Sequence, residues 1–163
     1  MNVQLWSAVS VVVIAVPALW LAIWGWRRRI RRQAGMPQPP AVPAGVEVLA
    51  AHRGKYVATT VAGDRLDRIA AHGLAFRGSA TAIVSADGLV VARDGERDLW
   101  IAWNALVSVG RATWTVDRVV EHDGLHVLRW RILDTEVDTY LRLDEPRAFD
   151  ADIAPMIPKE VVS

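Results

Sequence analysis

Residues 127–143 read VLRWRILDTEVDTYLRL, and this stretch decides the fold class. Apolar and charged side chains alternate on both sides of Trp130, and every second residue from Val137 to Leu143 shares one face. A period of two is that of a β-strand with one buried face and one solvated face. The stretch therefore predicts two strands of a mainly-β domain.

The chain before this stretch holds further strand-like runs separated by tight turns. An Asp-Gly pair between apolar runs is the strongest short-range hairpin signal. Such pairs occur at Asp87-Gly88, Asp94-Gly95 and Asp123-Gly124. The strand-like runs are 56–61, 80–85, 89–92 and 99–103. With the two later strands they predict about seven short antiparallel strands, which is typical of a small barrel or sandwich.

Two short helices are predicted within this β domain. Asp64 and Asp67 resemble an acidic capping box, and Gly73 supplies a left-handed stop, so residues 65–72 are predicted as a helix. A second helix is predicted from Pro146 to about residue 154. Its apolar side chains recur at every fourth residue from Phe149, so that it would plug an open end of the barrel.

The N-terminal segment 3–26, VQLWSAVSVVVIAVPALWLAIWGW, carries no charge. At 1.5 Å per residue, a helix of this length is roughly 36 Å long and spans a hydrocarbon core of about 30 Å. Trp6, Trp24 and Trp26 stand near its ends, where an aromatic belt meets the membrane interface. The sequence therefore predicts a single transmembrane helix at 3–26.

A basic cluster at 27–32 follows the apolar segment directly. Its members are Arg27, Arg28, Arg29, Arg31 and Arg32. The positive-inside rule places these arginines in the cytoplasm and the N-terminus outside, and the cluster would also contact anionic lipid. The alternative is a cleaved secretory signal, but such a signal carries its positive charge before the apolar run. We therefore predict a single-pass protein of the cell membrane whose C-terminal domain is cytoplasmic.

A proline-rich segment, QAGMPQPPAVPAG at 33–45, separates the basic cluster from the β domain at 46–163. Its composition predicts a semi-rigid, partly polyproline II spacer, although a ligand for a proline-recognition domain is the alternative. Because five arginines precede the domain, 14 of the 19 basic residues and all 18 acidic residues lie in 45–163. That part therefore carries about −4, which argues against nucleic-acid binding.

The residues that usually carry chemistry form no recognisable site. There is no cysteine, and the four histidines lack a metal-ligand spacing. Acid pairs such as Asp150/Asp152 are read as solvated turn or cap residues. Trp103 and Trp130 are predicted in the core, whereas an exposed Trp100 or Trp114 would mark a contact site. We therefore predict no enzyme, cofactor or metal.

Several strings resemble a family of membrane-anchored, pleckstrin-homology (PH)-like proteins of actinobacteria. They are GKYVATT at 54–60, GDRLDRI at 63–69 and AHGL at 71–74, with Trp130 and Asp138-Thr139 further on. The resemblance implies a small β barrel with a C-terminal helix. Proteins of this kind are often labelled export or transport proteins. Ordinary PH domains bind phosphoinositides through a basic first hairpin loop, or bind proteins.

Three functions remain open from the sequence. The first is a membrane-tethered module that recruits or scaffolds a protein partner. The second is an anionic-lipid binder or sensor, which the arginine cluster with Arg53 and Lys55 would favour, although the first hairpin loop balances its two arginines with two aspartates. The third is an accessory subunit of an export or envelope complex, with the helix packing against other helices.

Overall fold

The structure is a computed structural model that describes residues 15–21, 23–25, 35–112, 114–115, 118–119 and 124–157. The chain forms two compact units, 1–35 and 36–163. In the first unit, residues 15–21 and 23–25 are helical. Within the described ranges, no helix has both the length and the apolar character needed to cross a membrane. Most of the predicted span 3–26 lies outside those ranges.

The second unit is built on one antiparallel sheet of seven strands, in the order β4-β3-β2-β1-β9-β8-β5. A separate two-stranded ribbon pairs β6 with β7. The strands are β1 (Ala50–Val61), β2 (Gly78–Val84), β3 (Gly88–Arg93), β4 (Leu99–Ala102), β5 (Leu106–Ala112), β6 (Trp114–Thr115), β7 (Arg118–Val119), β8 (Leu125–Ile132) and β9 (Thr135–Leu143).

The alternation that predicted β8 and β9 places their apolar faces in the core. Trp130 and Leu141 are fully buried there, together with Tyr56 of β1. The strands β8 and β9 pair from His126↔Leu141 to Ile132↔Thr135. The mainly-β prediction is therefore confirmed for this unit.

Two of the predicted Asp-Gly turns join neighbouring strands. Asp87-Gly88 connects β2 to β3, where Ser85 N–H donates to Gly88 O at 3.0 Å. Asp94-Gly95 connects β3 to β4, with Gly95 at a φ of 79°. Gly124 stands directly before β8, whereas Asp123 lies outside the described residues.

The predicted helix at 65–72 is wrong. Asp64 Oδ1 accepts the backbone N–H groups two and three residues further on, at 3.0 and 3.2 Å, and so closes a turn instead of starting a helix. Just beyond, Ile69 N–H donates to Thr59 O at 2.9 Å, which ties the chain to β1. Only Ala71–Gly73 forms a short 3-10 turn, and its glycine, at a φ of 69°, has the predicted left-handed conformation.

The C-terminal helix α1 (Pro146–Ile153) follows the prediction closely. Proline occupies its first turn, where a missing N–H costs no helical hydrogen bond. Phe149 and Ile153 are buried in the core of the sheet, and Ile157 packs at the edge of that core. The short helix therefore covers the core as the apolar spacing indicated.

Candidate functional site

A groove of about 750 Å³ is the candidate binding site of the second unit. It lies between the β3–β4 turn and the long β1–β2 connection on one side, and part of the proline-rich segment on the other. The residues that line it are Gln38, Pro39, Pro40, Ala41, Val42, His72, Arg93, Glu96, Arg97, Asp98 and Leu99. Because a folded surface and an extended segment form opposite walls, the groove is an opening between two parts of one compact unit.

Arg93 is the buried cation of the groove. Arg93 is only 6% exposed, and its guanidinium donates to Gly73 O at 2.8 Å and to Arg97 O. Its Cζ lies 4.9 Å from the centroid of the Tyr56 ring, in cation–π geometry. The guanidinium thereby joins the β1–β2 connection to the β3–β4 turn. These two loops form the rim of the groove, and Arg93 fixes their shape.

The β3–β4 turn is braced by its own backbone and carboxylates. Arg93 N–H donates to Asp98 Oδ1 at 3.2 Å, and Asp94 N–H donates to Ser79 O at 3.1 Å. The carboxylate of Glu96 lies against Gly73, so that a Cβ added at Gly73 would lie 2.1 Å from Glu96 Oε2. The rim therefore mixes cationic and anionic groups in a rigid frame.

A directed chain of buried hydrogen bonds lies beneath Arg93. Tyr56 Oη donates to Leu74 O at 2.7 Å because a carbonyl oxygen only accepts. Thr59 must therefore donate to Tyr56 Oη at 2.7 Å, Thr139 to Thr59 at 2.8 Å, and Trp130 Nε1 to Thr139 at 2.9 Å. Burial raises the pKa of Tyr56 to about 12, so the phenol stays protonated and keeps this direction at neutral pH.

His72 connects the rim to the proline-rich segment. Its backbone is left-handed, at a φ of 55°, which is uncommon for a residue with a Cβ. Its Nε2 lies 3.0 Å from Met36 O and must carry the proton, since the carbonyl can only accept. His72 was predicted at a helix C-terminus, but the structure places it in the 3-10 turn, where its ring contacts Met36, 36 positions earlier.

The segment 36–42, called the proline strap below, begins the second unit and packs on the rest of it. Met36 packs on the core, and Met36, Pro37, Pro39 and Val42 are all half-buried. Gln38 and Pro40 between them are exposed. Part of the segment predicted as a spacer therefore packs on the domain.

The C-terminal helix carries a second cluster of polar contacts. His126 Nε2 lies 2.8 Å from Asp150 Oδ1, and Arg111 contacts the other oxygen of the same carboxylate. His52 Nε2 lies 2.9 Å from Asp152 Oδ2. Sequence reasoning treated the two aspartates as solvated cap residues and missed this cluster, because its partners are 24 to 100 positions apart in the chain.

Two edge-to-face contacts complete the cluster. The ring of Phe149 meets the ring of His52 at 5.5 Å and that of His126 at 4.9 Å between centroids.

Burial lowers the pKa of His126 against the opposing effect of Asp150. Burial alone would raise the pKa of Asp150, but hydrogen bonds from Arg111 and His126 outweigh it and lower that pKa. The cluster therefore holds a neutral imidazole beside an ionised carboxylate.

Most of the predicted membrane-interface residues lie outside the described part of the chain. Those residues are Trp6, Trp26, Arg27, Arg28, Arg29, Arg31 and Arg32. Trp24 is described: it is half-exposed and stacks on Trp20, with ring centroids 6.5 Å apart. The membrane-interface role of all eight residues stays a prediction.

The tryptophans of the β domain that the structure describes in full are core residues. Trp103 and Trp130 are buried as predicted. Trp100 is also buried, and its ring covers Gly88, where an added Cβ would lie 2.7 Å from its Cη2. Trp100 is therefore not an exposed contact site. Among the residues described, no group of three or more potential ligands is arranged to hold a metal ion.

Comparison with known proteins agrees with this architecture. The profile of a family described as bacterial PH domain-like matches residues 33–155, and this confirms the PH-like part of the resemblance. A solved structure, the C-terminal domain of an unknown protein from Leishmania infantum, is similar with a TM-score of 0.46 and 10% identity. That similarity covers 82% of this chain and 97% of that one. No curated protein matches the sequence. Since the family profile spans well over half of the residues, the chain belongs to the bacterial PH domain-like family.

Proposed function

We propose that this protein is a membrane-anchored binding module that recruits a protein partner to the cytoplasmic face of the cell membrane. PH-like domains are in general binding or scaffold modules and not catalysts. The observation that carries the proposal is the groove of about 750 Å³, whose rim is braced by the buried Arg93. The uncharged segment 3–26 and the five arginines after it support the anchor, as does the resemblance to membrane-anchored proteins.

The charges of the groove favour a protein over a lipid headgroup. Arg93 already donates to two backbone carbonyls, and the groove is lined by Glu96 and Asp98 as well as by Arg97 and His72. A phosphate-rich headgroup needs an excess of cations, whereas residues 45–163 carry about −4. Mixed charges around a partly apolar groove suit a protein surface, where complementary charges set specificity.

Site-directed crosslinking in native membranes tests the contact. A photoreactive amino acid replaces Arg97, an exposed residue of the groove, in the full-length chain. The matched control replaces Arg147, an exposed arginine on α1. We expect one reproducible protein adduct from position 97 and not from position 147. Adducts with lipid alone, or identical patterns from both positions, would overturn the proposal.

A reporter fusion tests the anchor separately. A reporter that is active on only one side of the membrane is fused after Ser163, and the membrane fraction is washed with alkaline carbonate. We expect the protein to stay in the washed membranes with a cytoplasmic reporter signal. An external signal would reverse the orientation, and release by carbonate would remove the anchor from the proposal.

A further inference from the structure

Three of the half-buried residues of the proline strap, Met36, Pro39 and Val42, are spaced three positions apart. Met36, Pro37, Pro39 and Val42 are half-buried, while Gln38, Pro40 and Ala41 are exposed. Three residues per turn is the repeat of the polyproline II helix, which has no internal hydrogen bonds. In such a helix Met36, Pro39 and Val42 would share one face toward the rest of the domain, and the half-buried Pro37 would lie beside that face.

We propose that the groove is a binding site for an extended, proline-containing segment of a partner protein, and that the strap is a built-in competitor for it. The segment would carry apolar side chains at positions one, four and seven, with proline at the fourth. This inference rests on the proposed function of the groove and names its partner chemistry. The argument for this occupant is that the chain's own proline-containing residues 38–42 already line the groove, and that Met36 before them packs on the core.

The strap is attached by contacts that a competitor can replace. Prolines have no N–H to donate, so the strap holds few backbone hydrogen bonds, and His72 Nε2 donates to its carbonyl at Met36. Its apolar contacts come from four half-buried side chains, of which Met36 packs on the core. A segment with few buried contacts opens locally at low free energy. Strap opening would thus precede partner binding.

The groove offers the groups that an extended proline-containing segment uses. Every carbonyl of a polyproline II helix is free to accept a hydrogen bond. His72 already donates to one such carbonyl, and the exposed Arg97 lies on the same wall of the groove. Leu99, a fully buried residue, lies beneath this part of the groove. Recognition would combine apolar contacts every third residue with donors to the backbone.

Closure by the strap lowers the apparent affinity for an outside segment by the fraction of molecules that are open. Weakening the strap should therefore tighten binding of a peptide with its sequence. The probe is a fluorescein-labelled peptide of residues 35–45, GMPQPPAVPAG, and fluorescence anisotropy is measured with the full-length chain in detergent micelles. The opened variant is Met36→Asp, and the matched control is Val48→Asp at an exposed position.

We expect Met36→Asp to bind the peptide at least about fivefold more tightly than the wild type, and Val48→Asp to match the wild type. Since Met36 touches the core, a second variant combines Pro39→Gly with Pro40→Gly, which loosens the strap through backbone entropy. A peptide with serine in place of the residues equivalent to 36, 39 and 42 should lose binding. Equal affinity of all proteins, no binding by either opened variant, or equal binding of the serine peptide would overturn the inference.

The two proposals fail in different ways. Adducts at position 97 that the strap peptide does not compete away would overturn the proline-segment inference and leave the proposed function standing. Peptide binding by the opened variants without any protein adduct in membranes would support the inference and overturn the proposed function.

Discussion

His126 and Asp150 join strand β8 to helix α1, with 2.8 Å between Nε2 and Oδ1. The imidazole is almost fully buried, and its Nδ1 has no hydrogen-bond partner in the part of the chain that the structure describes. The neutral tautomer with its proton on Nε2 satisfies the carboxylate and leaves only a lone pair on Nδ1. A second proton would place a positive charge on a buried ring beside Arg111, so protonation of His126 opposes the folded state.

Acid should therefore destabilise the fold in a predictable pH window. The pKa of His126 lies below its ordinary value of 6.5, so the unfolded chain binds a proton first as the pH falls through 6.5. The free energy of unfolding then decreases until the pH reaches the folded pKa of His126. The pKa of Asp150 lies below 3.8, which adds a second decrease under that pH. Urea unfolding of the full-length chain between pH 7.5 and 5 measures the first window.

The variant His126→Gln separates this effect from general acid sensitivity. Glutamine keeps an amide donor for Asp150 but does not titrate, so its unfolding free energy should depend less steeply on pH between 7 and 5. The difference in slope is at most about 1.4 kcal/mol per pH unit, the value for one proton. Equal slopes in the variant and the wild type would show that His126 is not the titrating group.

The polarised chain from Trp130 to Leu74 predicts the effect of removing one hydroxyl. Thr139→Val keeps the shape of the side chain but leaves Trp130 Nε1–H without its acceptor and breaks the bond to Thr59. Because these groups are buried, we expect a loss of about 1–3 kcal/mol in the free energy of unfolding. Urea unfolding monitored by tryptophan fluorescence measures it.

The control for this substitution is Thr81→Val, at a half-buried position of β2 outside the hydrogen-bond chain. It makes the same chemical change and should shift the free energy of unfolding by less than about 0.5 kcal/mol. Equal losses at both positions would mean that the chain of hydrogen bonds adds no stability of its own.

Local patterns predicted the elements whose signals are local. The spacing from Phe149 to Ile153 and the proline at 146 marked α1, and alternation marked β8 and β9. Strand β5 has no such signal, since Ser108 and Gly110 interrupt its apolar residues. It forms because it pairs with β8, and its register shifts near Leu106.

The candidate site was hidden from the sequence for a related reason. The Asp64 motif resembled a helix start, but its carboxylate closes a turn. Ile69 N–H then donates to the backbone of β1 instead of continuing a helix. The His126–Asp150 pair joins residues 24 positions apart on different elements, and Arg93 binds a carbonyl 20 positions away. Such contacts are created by the packing of strands, which no short pattern encodes.

Close contact between β1 and β9 makes Gly54 a sensitive position. A Cβ there would lie 2.2 Å from Arg142 O and 2.7 Å from Leu143 Cα, both backbone atoms of the neighbouring strand. Since the paired strand cannot move aside alone, Gly54→Ala should destabilise the domain by about 3 kcal/mol in urea unfolding.

Gly110 of β5 provides the matched control, because a Cβ there meets nothing within 4 Å. Gly110→Ala should leave the free energy of unfolding within about 1 kcal/mol of the wild type, and the reduced backbone entropy favours a small gain. A loss at residue 110 as large as that at residue 54 would show that strand glycines matter here for flexibility and not for space.

Leu133 offers a stabilising substitution at the hairpin between β8 and β9. The loop has two residues, and Leu133, its first, has a φ of 53° and is 77% exposed. A side chain with a Cβ costs about 1–2 kcal/mol in the left-handed region, and glycine is preferred at the first position of such loops. Leu133→Gly should therefore raise the free energy of unfolding by about 1 kcal/mol. Leu133→Ala removes the same exposed apolar surface but keeps the Cβ, so it should give no comparable gain. If alanine stabilised the hairpin as much as glycine, the exposed leucine and not the backbone conformation would be the source of the instability.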